Sequence, residues 1–141
     1  MAGRGAEIAA RARALVGVRF RSQGRDPQTG LDCVGLAAIA AEVPPERVPR
    51  DYTLRGEHLA AIEATLDRAG FQRRDGLQAG AGDVAVMKVG PAQLHLAVLI
   101  DNGFVHADAR LRRVVERPAP LPWPMLSVWR ANEDFKWPRS Y

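Results

Sequence analysis

The hydrophobic period of this 141-residue chain changes once, near its middle, and that change narrows the available folds more than any other feature. In the first half, apolar residues recur three and four apart. Ile8, Ala12 and Leu15 mark one face of a helix over 6–16, with arginines opposite and Gly17 ending it. The alanine-rich residues 33–42 read as a mostly buried helix. Leu59, Ile62, Leu66 and Ala69 mark a third over 57–69, with Glu57 in its first turn and Gly70 as its C-cap. The second half turns to strand signals. Residues 84–87 follow Gly82-Asp83 as a short strand, and 94–100 read as a strand buried on both faces. Asp101-Asn102-Gly103 is a hairpin turn signal, and 104–109 return as its partner. Residues 112–117 and 126–131 are further strands, joined by a proline-rich loop, 118–124. Helices followed by an antiparallel meander predict an α+β fold with the helices on one face of the sheet. Residues 18–32 read as an irregular loop. Residues 43–52 read as a stiff one, broken by Pro44, Pro45 and Pro49. The length suits one domain, expected over 1–131, with a surface tail over 132–141.

The net charge of +4 comes from arginine, scattered from Arg11 to Arg25 and again from Arg73 to Arg113. A basic surface suits an anionic partner such as nucleic acid, anionic lipid or a cell-wall polymer; solvated arginine is the plainer reading. No zinc-finger spacing, recognition helix or RNA-stacking aromatic pattern is present, so no nucleic-acid partner is expected. No apolar run nears the roughly 20 residues that span a bilayer, so no membrane insertion is expected. Residues 1–14 carry charge throughout and lack the apolar stretch of a secretion signal, which predicts a protein made in the cytoplasm without one. A single cysteine makes no internal disulfide, so the fold rests on packing.

That cysteine, Cys33, sits where the loop 18–32 becomes the alanine-rich helix. A helix N-terminus offers unpaired N–H groups and a positive dipole end, both of which favour a thiolate. His95 lies inside an apolar strand and His106 in the next, across the hairpin, while His58 reads as a surface residue. Alone, Cys33 is more often an inert core residue and His95 a satisfied core histidine. Together, a thiol at a helix start and two histidines on adjacent strands make a nucleophile, base and orienter. A zinc site of Cys33, His95 and His106 is the competing reading, weakened by the lack of any closely spaced ligand pair.

With these residues in view, the chain resembles the NlpC/P60 cysteine peptidases, papain-like enzymes that cut peptidoglycan stem peptides. Leu15-Val16-Gly17-Val18-Arg19-Phe20 takes the place of the family's Leu-Gly-x-Pro-Tyr segment. Gly30-Leu31-Asp32-Cys33-Val34-Gly35-Leu36 is similar to its Gly-Phe-Asp-Cys-Ser-Gly-Leu motif. Gly82-Asp83-Val84-Ala85-Val86 is similar to Gly-Asp-Leu-Val. His95-Leu96-Ala97-Val98-Leu99-Ile100 matches its histidine strand, and Phe104-Val105-His106-Ala107 matches the strand of its third catalytic residue. The resemblance implies an α+β papain-like fold, Cys33 as nucleophile, His95 as base and His106 as orienter, and no cofactor. It implies one oxyanion donor from the Cys33 N–H, worth about 3–4 kcal/mol in the best-measured case. Asp32 would hold the substrate's amino end, cap the helix, or both.

Three departures stand out. Phe20 replaces the tyrosine beside the oxyanion hole, and Gln23 is a substitute donor. Val34 replaces a serine after the nucleophile. The hairpin between the histidines is one residue short. A plain Asn102-Gly103 turn would pair Leu99 with His106 and leave His95 about 13 Å away along the strand. A bulge or a different turn is then required; failing that, Asp108 would orient His95. The segment Arg21-Ser22-Gln23-Gly24-Arg25-Asp26-Pro27 looks most like phage-type wall peptidases encoded beside tail genes, including those of gene transfer agents. That likeness implies placement in a tail tip or baseplate, with hub proteins as partners and a peptidoglycan peptide as substrate. The rivals are an inactive tail component of the same fold and an amidase or acyltransferase on a non-wall substrate.

Overall fold

A computed structural model describes residues 3–49, 52–54 and 58–137. The described residues hold three α-helices: α1 (Arg4–Ala14), α2 (Cys33–Ala40) and α3 (Leu59–Arg68). Eight strands accompany them: β1 (Arg25–Asp26), β2 (Gly30–Leu31), β3 (Phe71–Arg74), β4 (Val84–Gly90), β5 (Gln93–Ile100), β6 (Gly103–Asp108), β7 (Arg113–Pro118) and β8 (Met125–Ala131). Each expected helix is found. Helix α1 buries Ile8, Ala9 and Ala12, and α3 buries Ile62 and Leu66, so both pack through the face their periodicity marked. Helix α2 has no charged residue and is buried almost all round. Glu57, expected in the first turn of α3, lies outside the described residues, as do residues 50 and 51 of the stiff loop.

The segment 18–32 is not wholly irregular. It folds into the small hairpin β1–β2, with Arg25 opposite Leu31 and Asp26 opposite Gly30. Strand β3 escapes a periodicity reading because only Phe71 is buried and the next three residues are exposed, so no alternation marks it. The main sheet runs β3-β8-β4-β5-β6-β7, antiparallel throughout. Strands β4 to β7 form the expected meander, but β8 does not extend it. It returns to the far side of β4, where Val84 faces Trp129. The Arg130 guanidinium fixes it there, donating from Nε and Nη2 to the buried Asp83 carboxylate at 3.0 Å each. A bidentate pair of this kind sets direction as well as energy.

The sheet has two unlike faces. On one, α1 and α2 pack over Val84, Val86, Leu96, Val98, Val105 and Val114. On the other, Ala85, Met87, Ala97 and Phe104 are covered by a thin layer that includes Leu121 and Trp123 of the proline-rich loop. Strand β5 is therefore not equally buried. Leu94, Leu96, Val98 and Ile100 are buried, while His95 and Leu99 on the other face are partly open.

Several arginines hold backbone carbonyls. Arg11 donates to Ala40 O (2.6 Å), and Arg25 to Val48 O and Pro49 O (3.0 and 2.6 Å), tying the stiff loop to β1. Arg4 reaches Asn132 O and Phe135 O, so residues of the expected tail lie along α1. Phe135 packs on Gly70, and Arg47 stands over the Trp137 ring.

The approach of α2 to the hairpin depends on two glycines. A Cβ on Gly35 would stand 2.0 Å from Gly24 O, and one on Gly24 would stand 2.3 Å from Gly30 O. Neither distance is attainable without moving backbone. Gly35→Ala is expected to cost about 1–3 kcal/mol of stability, a cost typical of overpacking. Urea unfolding of the variant checks this, and an unchanged midpoint would contradict the contact.

Candidate active site

Cys33 is the first residue of α2, and the sequence places it there through Asp32. The Asp32 backbone is extended, and its Oδ1 accepts the Gly35 N–H at 2.8 Å, the N-cap bond that starts the helix. Its Oδ2 accepts the Gln23 N–H at 3.0 Å and the Tyr52 hydroxyl. The carboxylate is 5% exposed, and these three donors come from three separate segments. Asp32 is thus a cap and a clamp on the ground the thiol stands on.

The histidines meet through a turn other than the plain one expected. Ile100 pairs with Gly103, Leu99 with Phe104 and Val98 with Val105, so the turn lies at Asp101-Asn102, with Asn102 at φ 61°. Continued, this register sets Ala97 opposite His106, which makes His95 the diagonal neighbour of His106. Diagonal side chains are within reach when the rings are large. His95 Nε2 lies 2.9 Å from His106 Nδ1, with the rings edge to face. The ladder between β5 and β6 ends at Val98–Val105, just before these residues. Among the described residues, Asp108 makes no hydrogen bond or ion pair with His95, on which its charge nonetheless acts; its Oδ2 lies 4.0 Å from His106 Nε2.

Cys33 shares a cleft of about 680 Å³ with His95, His106, Asp32, Phe20 and Gln23. Among the described residues, no hydrogen bond links its sulfur to either ring. Burial, then the charge of Asp32, pushes the Cys33 thiol up to about 12. The N–H groups of Leu96, Val34 and Cys33 favour the thiolate but are outweighed. Burial, then the neighbouring His106, pulls His95 down to about 4. At neutral pH the resting cleft therefore holds a thiol and a neutral imidazole. With its Nε2 occupied by His106, His95 has Nδ1 left to receive a proton.

Of the departures noted in the sequence, Phe20 lines the cleft and brings no hydroxyl. The Gln23 N–H is spent on Asp32, leaving only its side chain for the cleft. Val34 lines a separate apolar cavity of about 390 Å³ with Ala37, Ile62, Leu66 and Leu96, where a valine fits better than a serine. Among the described residues, no group of three His, Cys, Asp or Glu side chains is placed to hold a metal ion, and the facing nitrogens of the two histidines are hydrogen-bonded to each other at 2.9 Å.

Sequence reasoning missed two residues of the cleft. Tyr52 comes from the end of the stiff loop and supplies a phenol beside Cys33. Burial and Asp32 push its pKa above the ordinary value, so it stays a donor. Trp123, in the proline-rich loop, packs its ring 5.8 Å from that of His95 and 5.4 Å from that of His106. No local pattern announces either residue, since both arrive through long-range packing.

The fold is the α+β, papain-like fold of NlpC/P60 domains. The structure is similar to NlpC2 from Trichomonas vaginalis, with a TM-score of 0.64 and 18% identity over 92% of this chain. It is similar to the NlpC/p60 domain of the peptidoglycan hydrolase SagA, with a TM-score of 0.58 and 23% identity, covering 81% of this chain and 88% of that one. It also matches the P60 domain of an antigen from M. avium subspecies paratuberculosis, with a TM-score of 0.58 and 15% identity over 94% and 96% of the two chains. The chain spans 49% of the Trichomonas protein, about half its length. No family model and no curated protein matches the sequence.

The protonation states make a kinetic prediction. A thiol held near 12 loses its proton only as pH rises, so alkylation of Cys33 by iodoacetamide should be slow at neutral pH and climb about tenfold per pH unit between about 7 and 9. A rate that is fast and flat from about pH 5 to 8 would instead reveal a preformed thiolate–imidazolium pair.

Proposed function

We propose that this protein is a cysteine peptidase or amidase that cuts amide bonds of peptidoglycan stem peptides. The observation that carries this reading is one cleft holding a thiol at a capped helix start and a hydrogen-bonded histidine pair. The fold shared with peptidoglycan-hydrolase domains supports the substrate class.

In this reading the Cys33 proton passes to His95 Nδ1 as sulfur attacks the substrate carbonyl carbon. The oxyanion so formed accepts a hydrogen bond from the Cys33 N–H. The imidazolium then protonates the leaving amine, and a thioester to Cys33 remains. His95 next takes a proton from water, whose oxygen displaces the sulfur, and the acid product leaves with the thiol restored. The hydrogen bond to His106 holds the His95 ring in place through both halves.

Intact protein should release new peptide fragments from purified peptidoglycan, detected by mass spectrometry. Cys33→Ala should lower that release by at least about 10⁴-fold, as loss of a nucleophile does elsewhere. Absence of fragments from the intact protein would favour the inactive tail component. Equal release by Cys33→Ala would refute the mechanism. Cleavage of other amides but not of wall peptides would favour the non-wall amidase.

The setting we propose is a phage-like tail tip or baseplate acting locally at the wall, with tail hub proteins as partners. It is supported by the likeness of Arg21-Ser22-Gln23-Gly24-Arg25-Asp26-Pro27 to tail-encoded wall peptidases. The protein should then co-sediment with tailed particles from the producing cells; recovery only in the particle-free fraction would refute the placement.

A further inference from the structure

We infer that Asp108 is a positioning residue, whose carboxylate selects the ring tautomers of His106 and His95 that leave His95 Nδ1 free to take the thiol proton. The kinetic part of this inference rests on the hydrolase reading above; the tautomers themselves do not.

A contact between two neutral imidazoles is ambiguous. The proton between His95 Nε2 and His106 Nδ1 belongs to one ring or the other, and the choice decides whether the site works. If His106 carries it on Nδ1, His95 accepts through Nε2 and must hold its own proton on Nδ1. The nitrogen left for Cys33 is then a donor and takes nothing from a thiol. If His95 donates from Nε2, its Nδ1 carries a lone pair, and His106 must hold its proton on Nε2.

The surroundings of His106 break the tie. His106 is 2% exposed, and its Nε2 has no hydrogen-bond partner. Asp108 Oδ2 stands 4.0 Å from it. The other oxygen, Oδ1, accepts the N–H groups of Arg110 and Leu111 at 2.8 and 3.0 Å, which pins the carboxylate and leaves Oδ2 turned to the ring. A bare lone pair at Nε2 would face that negative charge in a low-dielectric setting, whereas an N–H there is attracted to it. Among the described residues, the other charged group acting on His106 is Arg117 of β7, also stacked on Phe104 and Trp123. A cation offers no acceptor for the ring proton, so it does not compete for the role.

Burial works against ionisation of Asp108. The hydrogen bonds from Leu111 and Arg110, together with the two histidines, outweigh it and hold the carboxyl below its usual range. The charge is thus present throughout the working pH range. It takes no proton during turnover. The thiol proton ends on His95 Nδ1, and the Nε2 proton of His95 stays on that ring, shared with His106.

The test is Asp108→Asn. The amide oxygen can still accept from Arg110 and Leu111, so the turn is kept, while the amide N–H₂ now faces His106 Nε2 and favours a bare nitrogen there. Two-bond proton–nitrogen correlation spectra of histidine-labelled protein should show His106 and His95 protonated at Nε2 in the wild type. In Asp108→Asn, both should shift to Nδ1. The kcat on wall peptides should fall by up to about 10⁴-fold with KM little changed, as expected of a wrong tautomer, and Asp108→Glu should recover part of the loss. His106 protonated at Nδ1 in the wild type, or identical tautomers in wild type and Asp108→Asn, would overturn the inference. The spectra need no turnover. An inactive wild type would therefore refute the hydrolase reading alone, and the wild-type spectrum can still overturn this inference even if the Asn variant fails to fold.

Discussion

The carboxylate of Asp32 is the constraint on which the rest of the site depends. Three donors converge on it: the Gly35 N–H from the first turn of α2, the Gln23 N–H from the loop before β1, and the Tyr52 hydroxyl from the end of the proline-broken loop. Each group is separated in sequence from the others, and each would be costly to leave unpaired at this depth. One side chain therefore sets where α2 begins, which walls enclose the thiol and how close they stand. The same charge also disfavours the thiolate next door. The cap that positions the thiol thus also favours its protonated form.

The sheet brings the histidine pair into the cleft that holds that thiol. Strand β5 turns its even-numbered side chains from Leu94 to Ile100 into the helical core and its odd-numbered ones, including His95, to the opposite face. Burying the even set fixes the register, because a slip of one residue would exchange the faces. The polar histidines are tolerated because that second face is thinly covered and because each ring finds partners in the other and in Trp123. The proline-rich loop belongs to the site for this reason. It carries Trp123 over the histidines before β8 crosses back to pair with β4.

The fold class was legible because its signals are local. Ile8-Ala12, Ile62-Leu66 and the strand pair around Asp101-Asn102-Gly103 carry their periods in a few residues, and packing then obeys them. Cys33, His95 and His106 were legible as a set because a thiol at a helix start and histidines in apolar strands each break an expectation. What could not be read depends on contacts between distant segments. Strand β8 goes beside β4 because Arg130 finds Asp83, 47 positions away in sequence. The hairpin turn shifts by one residue from the plain placement, and no local rule distinguishes the two, since Asn102 suits either. Tyr52 and Trp123 enter the cleft only once loops with no period of their own have been folded over it.

The shifted turn carries a consequence for the chemistry. With Leu99 opposite Phe104, the paired ladder runs as far as Val98–Val105, and just beyond it the rings of His95 and His106 meet. A one-residue change in the other direction would leave the two rings too far apart to touch. The observed turn instead arranges His95, His106 and Asp108 in series, with separations of 2.9 and 4.0 Å. An orienter that is itself an imidazole is indifferent to which way the proton faces. A series ending on a fixed carboxylate is not, because only one end of it carries a negative charge. The shortened hairpin, read from sequence as a defect of the site, is thus compatible with a directed arrangement: the turn that compensates for the missing residue also brings the acid that gives the histidine pair its polarity.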